Sequence, residues 1–369
     1  MRPALVLLAA ASLAVAAEEH IEPEFVRPLL PIERGRNDSN PVWSPSGDMI
    51  AFERSRGDDR EIVVVRTDGA LIQTIHHQNS AAAGKSQFFF PGVVEAKSYN
   101  SGISWSPEGK RFVFMSNGGE GNYDLYLREL DGRITRVTSH KEKDGHGHWS
   151  PVQDRIAFIS GRSGKGDVYL LDLDKKSTTR LTLGESPYLY PQWSPDGKRL
   201  AVIHGSNENH DVYILEPGRT PPAPPRPLST WHYDDLRPVW SPDGKRIAFY
   251  TNYNTAGDSK TWAIAVVAAD GSDPTEGEGL AARVVATDVV PDVERGPAWM
   301  PDSRRIAYVR DERQAFYPIY IADVERRTST LLRTGTRMNH DVTCSPGGEI
   351  AFRAQVDEWD QLFVAKLRN

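Results

Sequence analysis

His146 and His148 stand one residue apart near the middle of a 369-residue chain. On a β-strand, imidazoles at i and i+2 share a face, a spacing compatible with a divalent metal. His140, His232 and His340 recur near the same point of a repeated unit. Two rows of mostly polar residues accompany them, counted back from one recurring slot. Five positions before it stand Asp38, Asn100, Asp144, Tyr188, Asp235, Glu294 and Asn339; three before it stand Asn40, Gly102, His146, Tyr190, Arg237, Gly296 and Asp341. Such a ring could hold a cation or a basic peptide group. Asp and Asn also cap turns and bond local amides, and that plainer role is expected for most of the first row. His146, Tyr190, Arg237 and Asp341 break the uniformity of the repeat and are the better ligand contacts. With Asp38, Asn100, Asp144, Asp235, Glu294 and His340 they make up the candidate site at the channel mouth. His146 and His148 are the only metal candidates, so no cofactor is expected beyond a possible divalent cation. No His-Glu-x-x-His, Cys-x-x-Cys, Walker or dinucleotide motif is present.

The slot belongs to a block resembling Trp-Ser-Pro-Asp-Gly-Lys-Arg-Ile-Ala-Phe. Copies start at Trp43, Trp105, Trp149, Trp193, Trp240, Trp299 and Cys344, at spacings of 62, 44, 44, 47, 59 and 45 residues. That period is one four-stranded propeller blade. The third unit predicts strands over Gly147–Ser150, Arg155–Ser160, Asp167–Asp172 and Thr179–Thr182, with Ser-Pro-Asp-Gly turning the first into the second. The tryptophans are expected to pack between blades rather than to stack on a ligand. The last unit has three strand signals (Asp341–Ser345, Glu349–Arg353 and Gln361–Leu367) and then the chain ends. Phe25–Ile32 is therefore expected to supply its outer strand and close a seven-bladed ring, since an open edge cannot stay unpaired. Pro28 and Pro31 are acceptable on an outermost strand.

Residues 1–17 read as a cleavable signal peptide: Arg2, an apolar run from Leu5 to Val15, and small residues before Glu18-Glu19. Residues 18–369 then form one domain, expected in the periplasm or secreted, with no membrane span and as a monomer. A net charge of −6 disfavours nucleic acid. Cys344, the only cysteine, occupies a tryptophan slot and reads as a core thiol. The insertion His76–Tyr99 carries Phe88, Phe89 and Phe90, either a channel plug or a partner-docking patch.

The repeated block resembles the TolB-like propeller repeat, also called PD40 or WD40-like, over nearly all of the mature chain. TolB itself pairs six blades with an N-terminal α/β domain, whereas here about 25 mature residues are expected before Trp43 and seven units are counted. The resemblance implies partner binding at the channel mouth. Prolyl oligopeptidase propellers are similar but accompany a hydrolase domain and a Gly-x-Ser-x-Gly elbow, both missing here. Oligogalacturonate lyases, seven-bladed with a His-rich metal site, are similar as well; their Gln and His-x-His cluster has no counterpart at matching offsets in a late blade. The leading reading is an exported, non-catalytic scaffold for a protein or peptide partner in the cell envelope. The alternative is a metal-dependent polysaccharide lyase or hydrolase using His146, His148 and His340.

Overall fold

The Ser-Pro-x-Gly turn is the local device from which each blade grows. In the fourth copy the Gly197 N–H donates to the Ser194 carbonyl at 2.8 Å across Pro195, whose fixed φ suits that corner. Gly197 has φ +65°, a region open to glycine without strain. The Asp196 carboxylate accepts the Lys198 N–H at 3.1 Å, and the buried Ser194 hydroxyl accepts that of Arg199 at 3.0 Å. The fifth copy repeats these bonds at Ser241, Asp243 and Gly244. The following Ile-Ala-Phe strand is buried on both faces, as in Ile50, Ala51 and Phe52. Ile50 and Phe52 join the core shared with the preceding blade, while Ala51 joins that of the next. A small residue on one face lets the neighbouring sheet approach.

A computed structural model describes residues 20–368 apart from 58, 77–99, 119–121, 185, 207–208, 219–223, 231–232, 254–260, 274–282, 293 and 313–315. The signal-peptide expectation, Phe88–Phe90 and His232 lie outside the described residues. Seven antiparallel sheets stand around an axis, each ordered from an inner to an outer strand. The third runs Asp144–Trp149, Arg155–Ser160, Asp167–Asp172 and Ser177–Arg180. Its inner strand begins three residues before the expected start and its outer strand two before, because pairing continues past the recognisable block. Among the described residues no helix is long and apolar enough to cross a membrane.

Closure follows the expectation with shifted bounds. Pro23–Pro28 pairs antiparallel with Trp359–Leu367, Phe25 opposite Lys366 and Pro28 opposite Phe363, as the outer strand of the seventh blade. Just before it, His20–Ile21 pairs parallel with Thr328–Leu332 and adds a fifth strand to the sixth blade. An Arg333–Glu22 ion pair of 3.1 Å stands beside that added strand.

Seven separate apolar clusters make the core, each spanning two neighbouring blades. The six tryptophans of the slot lie in six of them, with Cys344 packed against the seventh. The indole N–H of Trp193, Trp240 and Trp299 donates to a carbonyl of the previous inner strand at 3.0–3.1 Å. The Cys344 thiol takes the same place against the Ala298 carbonyl at 3.8 Å. Burial pushes that thiol up to about 12, so it stays protonated and packs as a small apolar group.

Candidate functional site

Six inner strands slip register between the fourth and the first residue before the slot, for example between Gly145 and His148. The third residue before the slot is left-handed in all seven copies. Its φ is 52° at Asn40, 69° at Gly102, 51° at His146, 53° at Tyr190, 53° at Arg237, 98° at Gly296 and 51° at Asp341. A non-glycine residue in that region costs about 1 kcal/mol, and five of the seven are not glycine. Bulges of this kind re-aim a side chain.

His146, Tyr190 and Arg237 line a central cavity of about 580 Å³ together with Glu53, Glu294 and Arg295. The His146 ring meets Tyr190 edge-on at 4.8 Å, and the Arg237 guanidinium carbon lies 3.3 Å from the centroid of the Tyr190 ring. Arg237 then donates to the Glu294 carbonyl at 2.9 Å and stands 3.8 Å from its carboxylate. Residues of four successive blades thus form one connected wall. Burial, with Arg237 nearby, holds the His146 imidazole well below its usual range. Burial brings His148 down to about 4, and its Nδ1 accepts the Trp193 N–H at 3.3 Å. His146 and His148 both line the central cavity, although the bulge between them breaks the regular strand pairing. Among the described residues, no three His, Cys, Asp or Glu side chains group so as to hold a metal.

Asn40, His340 and Asp341 border a smaller cavity of about 290 Å³ with Asp292, Glu294, Arg60 and Arg353. The Asp341 carboxylate accepts the Asn40 N–H at 3.2 Å and pairs with Arg353 at 2.7 Å. Arg295 donates to the Asn40 carbonyl at 2.7 Å. Between the cavities Glu53, its side chain 1% exposed, pairs with Arg60 at 3.1 Å. Burial nevertheless raises Glu53 to about 7, and burial helped by Asp341 raises Asp292 to about 6.

The row five before the slot sits elsewhere. Asp38, Asn100, Asp144 and Asp235 are at most 1% exposed and border neither cavity. Asp38 holds Arg54 through two bonds of 2.7 and 3.0 Å. The Asn100 amide donates to the Arg60 carbonyl of the preceding blade at 2.8 Å. Asp144 pairs with Arg162 at 2.8 Å, beside Ser160 and the Thr138 hydroxyl of the blade before. Asp235 stands beside Ser229 and Thr251, and burial lifts its carboxyl well above the usual range. Asn100, Asp144 and Asp235 reach groups of the preceding blade, whereas Asp38 is held by Arg54 of its own blade and by Arg36. Glu294 alone of that candidate row faces the cavities.

Glu53, Arg60, Asp292, Arg295 and Arg353 escape the sequence reading. Two of them left a trace. The position after Ile-Ala-Phe is Met115, Ile159, Ile203, Tyr250 and Val309 in five copies, but Glu53 and Arg353 in the other two. The left-handed row left one as well, in the register of Gly102 and Gly296 with bulky partners.

A family model described as the TolB beta propeller domain, PD40, matches residues 91–276, half of the chain. The Tol-Pal system protein TolB of Francisella tularensis subsp. mediasiatica (strain FSC147) is 31% identical over 83 residues, 22% of this chain. That match spans about a fifth of the relative's length, 19%. The crystal structure of TolB from Acinetobacter baumannii superposes with a TM-score of 0.52 at 18% identity, covering 80% of this chain and 62% of that one. An oligogalacturonate lyase in complex with manganese superposes at 0.65 and 12% identity, covering 96% of each chain. At such identities the solved structures speak for the fold alone. The sevenfold repeat, the seven radial sheets and the family model agree, and the chain belongs to the TolB β-propeller (PD40) family.

Proposed function

We propose that this chain is an exported, non-catalytic propeller of the cell envelope that binds a protein or peptide partner at its channel mouth. The observation that carries the reading is the left-handed ring. Five bulky residues hold a backbone conformation that glycine would adopt freely, and the mixed aromatic and charged wall they present varies from blade to blade. Strain maintained around a cavity, with no shared chemistry among the strained residues, suits recognition of an irregular surface better than a repeated structural task. The family adds weight, since the matched relative is named as part of a Tol-Pal system. Residues 1–17 serve as the export signal in this reading, and the chain works as a monomer. His76–Tyr99, with Phe88–Phe90, is the loop expected to touch the partner.

Affinity capture from the native envelope tests it. Wild type is expected to retain a stoichiometric partner that a His146→Ala, Tyr190→Ala double variant loses while keeping its thermal midpoint. Equal capture by both proteins removes the channel mouth from the reading. The lyase alternative draws on the full-length superposition with the manganese-bound enzyme. Metal analysis decides between them: stoichiometric Mn, Zn or Ca that disappears in His146→Ala points to the enzyme.

A further inference from the structure

We infer that the smaller cavity is a pocket for an organic cation, a guanidinium or primary ammonium, with the Asp292 carboxylate as its anchor. The other charges around it are already matched. Arg353 pairs with Asp341 at 2.7 Å and Asp360 at 2.8 Å, and Arg60 pairs with Glu53 at 3.1 Å. Asp292 has Arg295 and Arg237 as charged neighbours, but its carboxylate makes no ion-pair contact with either among the described residues. Its Oδ1 accepts the N–H groups of Glu294 and Arg295 at 2.8 and 3.1 Å, which fixes the carboxylate. Its Oδ2 is shut off from solvent and takes no hydrogen bond among the described residues. A buried carboxylate oxygen without a donor is costly, and Asp292 lines the cavity from which a donor can approach.

The anchor is held rather than mobile. The Val290 N–H donates to the Val309 carbonyl at 2.9 Å and the Asp311 N–H to the Asp288 carbonyl at 2.7 Å, pinning the segment to the sixth blade. Tyr250, Tyr308 and Pro291 supply flat or apolar walls for a planar cation or an alkyl stem. An anion would meet Asp292, Glu294 and Asp341. A calcium or magnesium ion takes six or more oxygen ligands, and no three His, Cys, Asp or Glu side chains group here among the described residues, whereas an organic cation needs only one or two acceptors beside apolar walls. The pocket deepens the partner-binding reading and rests on it for the source of the cation, an Arg or Lys side chain of the partner.

Binding should weaken in acid. Asp341 adds to burial in raising Asp292 to about 6, while Arg295 and Arg237 oppose them; Glu294, His340, Arg353 and Tyr250 face the same space. The ionised form attracts the cation, so affinity falls as pH drops through about 6.

Titration of the full chain with butylguanidinium and butylammonium, followed by calorimetry, tests the pocket. One-to-one binding at pH 7.5 is expected, about tenfold weaker at pH 5. Asp292→Asn keeps the Oδ1 acceptor and is expected to weaken both probes by about tenfold or more at an unchanged thermal midpoint. Should that variant fold poorly, the pH series on wild type carries the test. No binding, equal binding of neutral butylurea, undiminished binding by Asp292→Asn, or displacement of the probes by micromolar Ca²⁺ overturns the inference. Probe binding without any captured partner keeps the pocket and sinks the partner reading. A partner captured equally by wild type and Asp292→Asn removes the pocket from its recognition.

Discussion

Asp144 and His146 are two residues apart on one inner strand and meet opposite surroundings. Asp144 is buried beside hydroxyls of two blades and an arginine. His146 turns through a left-handed bulge and borders the central cavity against Tyr190. The same contrast separates Asp235 from Arg237 two blades on. An ordinary strand would set residues i and i+2 on the same side. The bulge breaks that rule in six inner strands and gives the repeat two registers: most of one row is buried, and most of the other borders the cavities.

Breaking the buried row should cost most. Asp144→Ala leaves Arg162 without its carboxylate in a buried setting, and urea denaturation is expected to show a loss of about 3 kcal/mol. A change below 1 kcal/mol would put Asp144 in the same class as its exposed neighbours. Next comes pH. Glu53 has a folded pKa near 7, above its ordinary 4.5. The folded state therefore holds a proton the unfolded chain has released. This group's contribution is full below pH 4.5 and is lost as pH rises to about 7, at up to about 1.4 kcal/mol per unit. Asp292 acts in the same direction. Glu53→Gln is expected to flatten that slope between pH 5 and 7; an unchanged slope would mean that the carboxylate is ionised throughout. The smallest stability effect belongs to the row that borders the cavities. His146→Gly relieves about 1 kcal/mol of backbone strain and gives up the ring contact with Tyr190, so the midpoint should move by less than about 1 kcal/mol either way. Partner capture should nonetheless fall about tenfold. A large destabilisation with intact capture would reverse the roles of the two rows.

The fold was legible because its signal is repeated. Seven copies of one turn set the blade number, and the missing outer strand of the last unit pointed to the segment that Pro23–Pro28 occupies. His20–Ile21 was invisible, since two residues carry no periodicity. The site was legible only in part. The Asp and Asn of the buried row spell the same letters as turn caps, and the partners Thr138 and Ser229 lie just past the outer strand of another blade. The left-handed backbone is a property of φ, for which sequence offers only indirect signs such as Gly102 and Gly296. Asp292 gave no sign at all: its importance comes from an enclosed oxygen beside a cavity whose walls come from residues far apart in sequence.

Sewing Pro23–Pro28 onto the Trp359–Leu367 strand sets an order of events during biosynthesis. Phe25 finds its place only against Lys366, so a segment made early must wait for a strand made far later. Meanwhile each blade from the first to the sixth can assemble four strands from neighbours in sequence. Joining ends so far apart adds little entropic cost beyond that of a shorter loop, yet such distant contacts slow the search. The final latch is therefore a late kinetic event, and until it engages the Trp359–Leu367 edge stays open to any strand that passes.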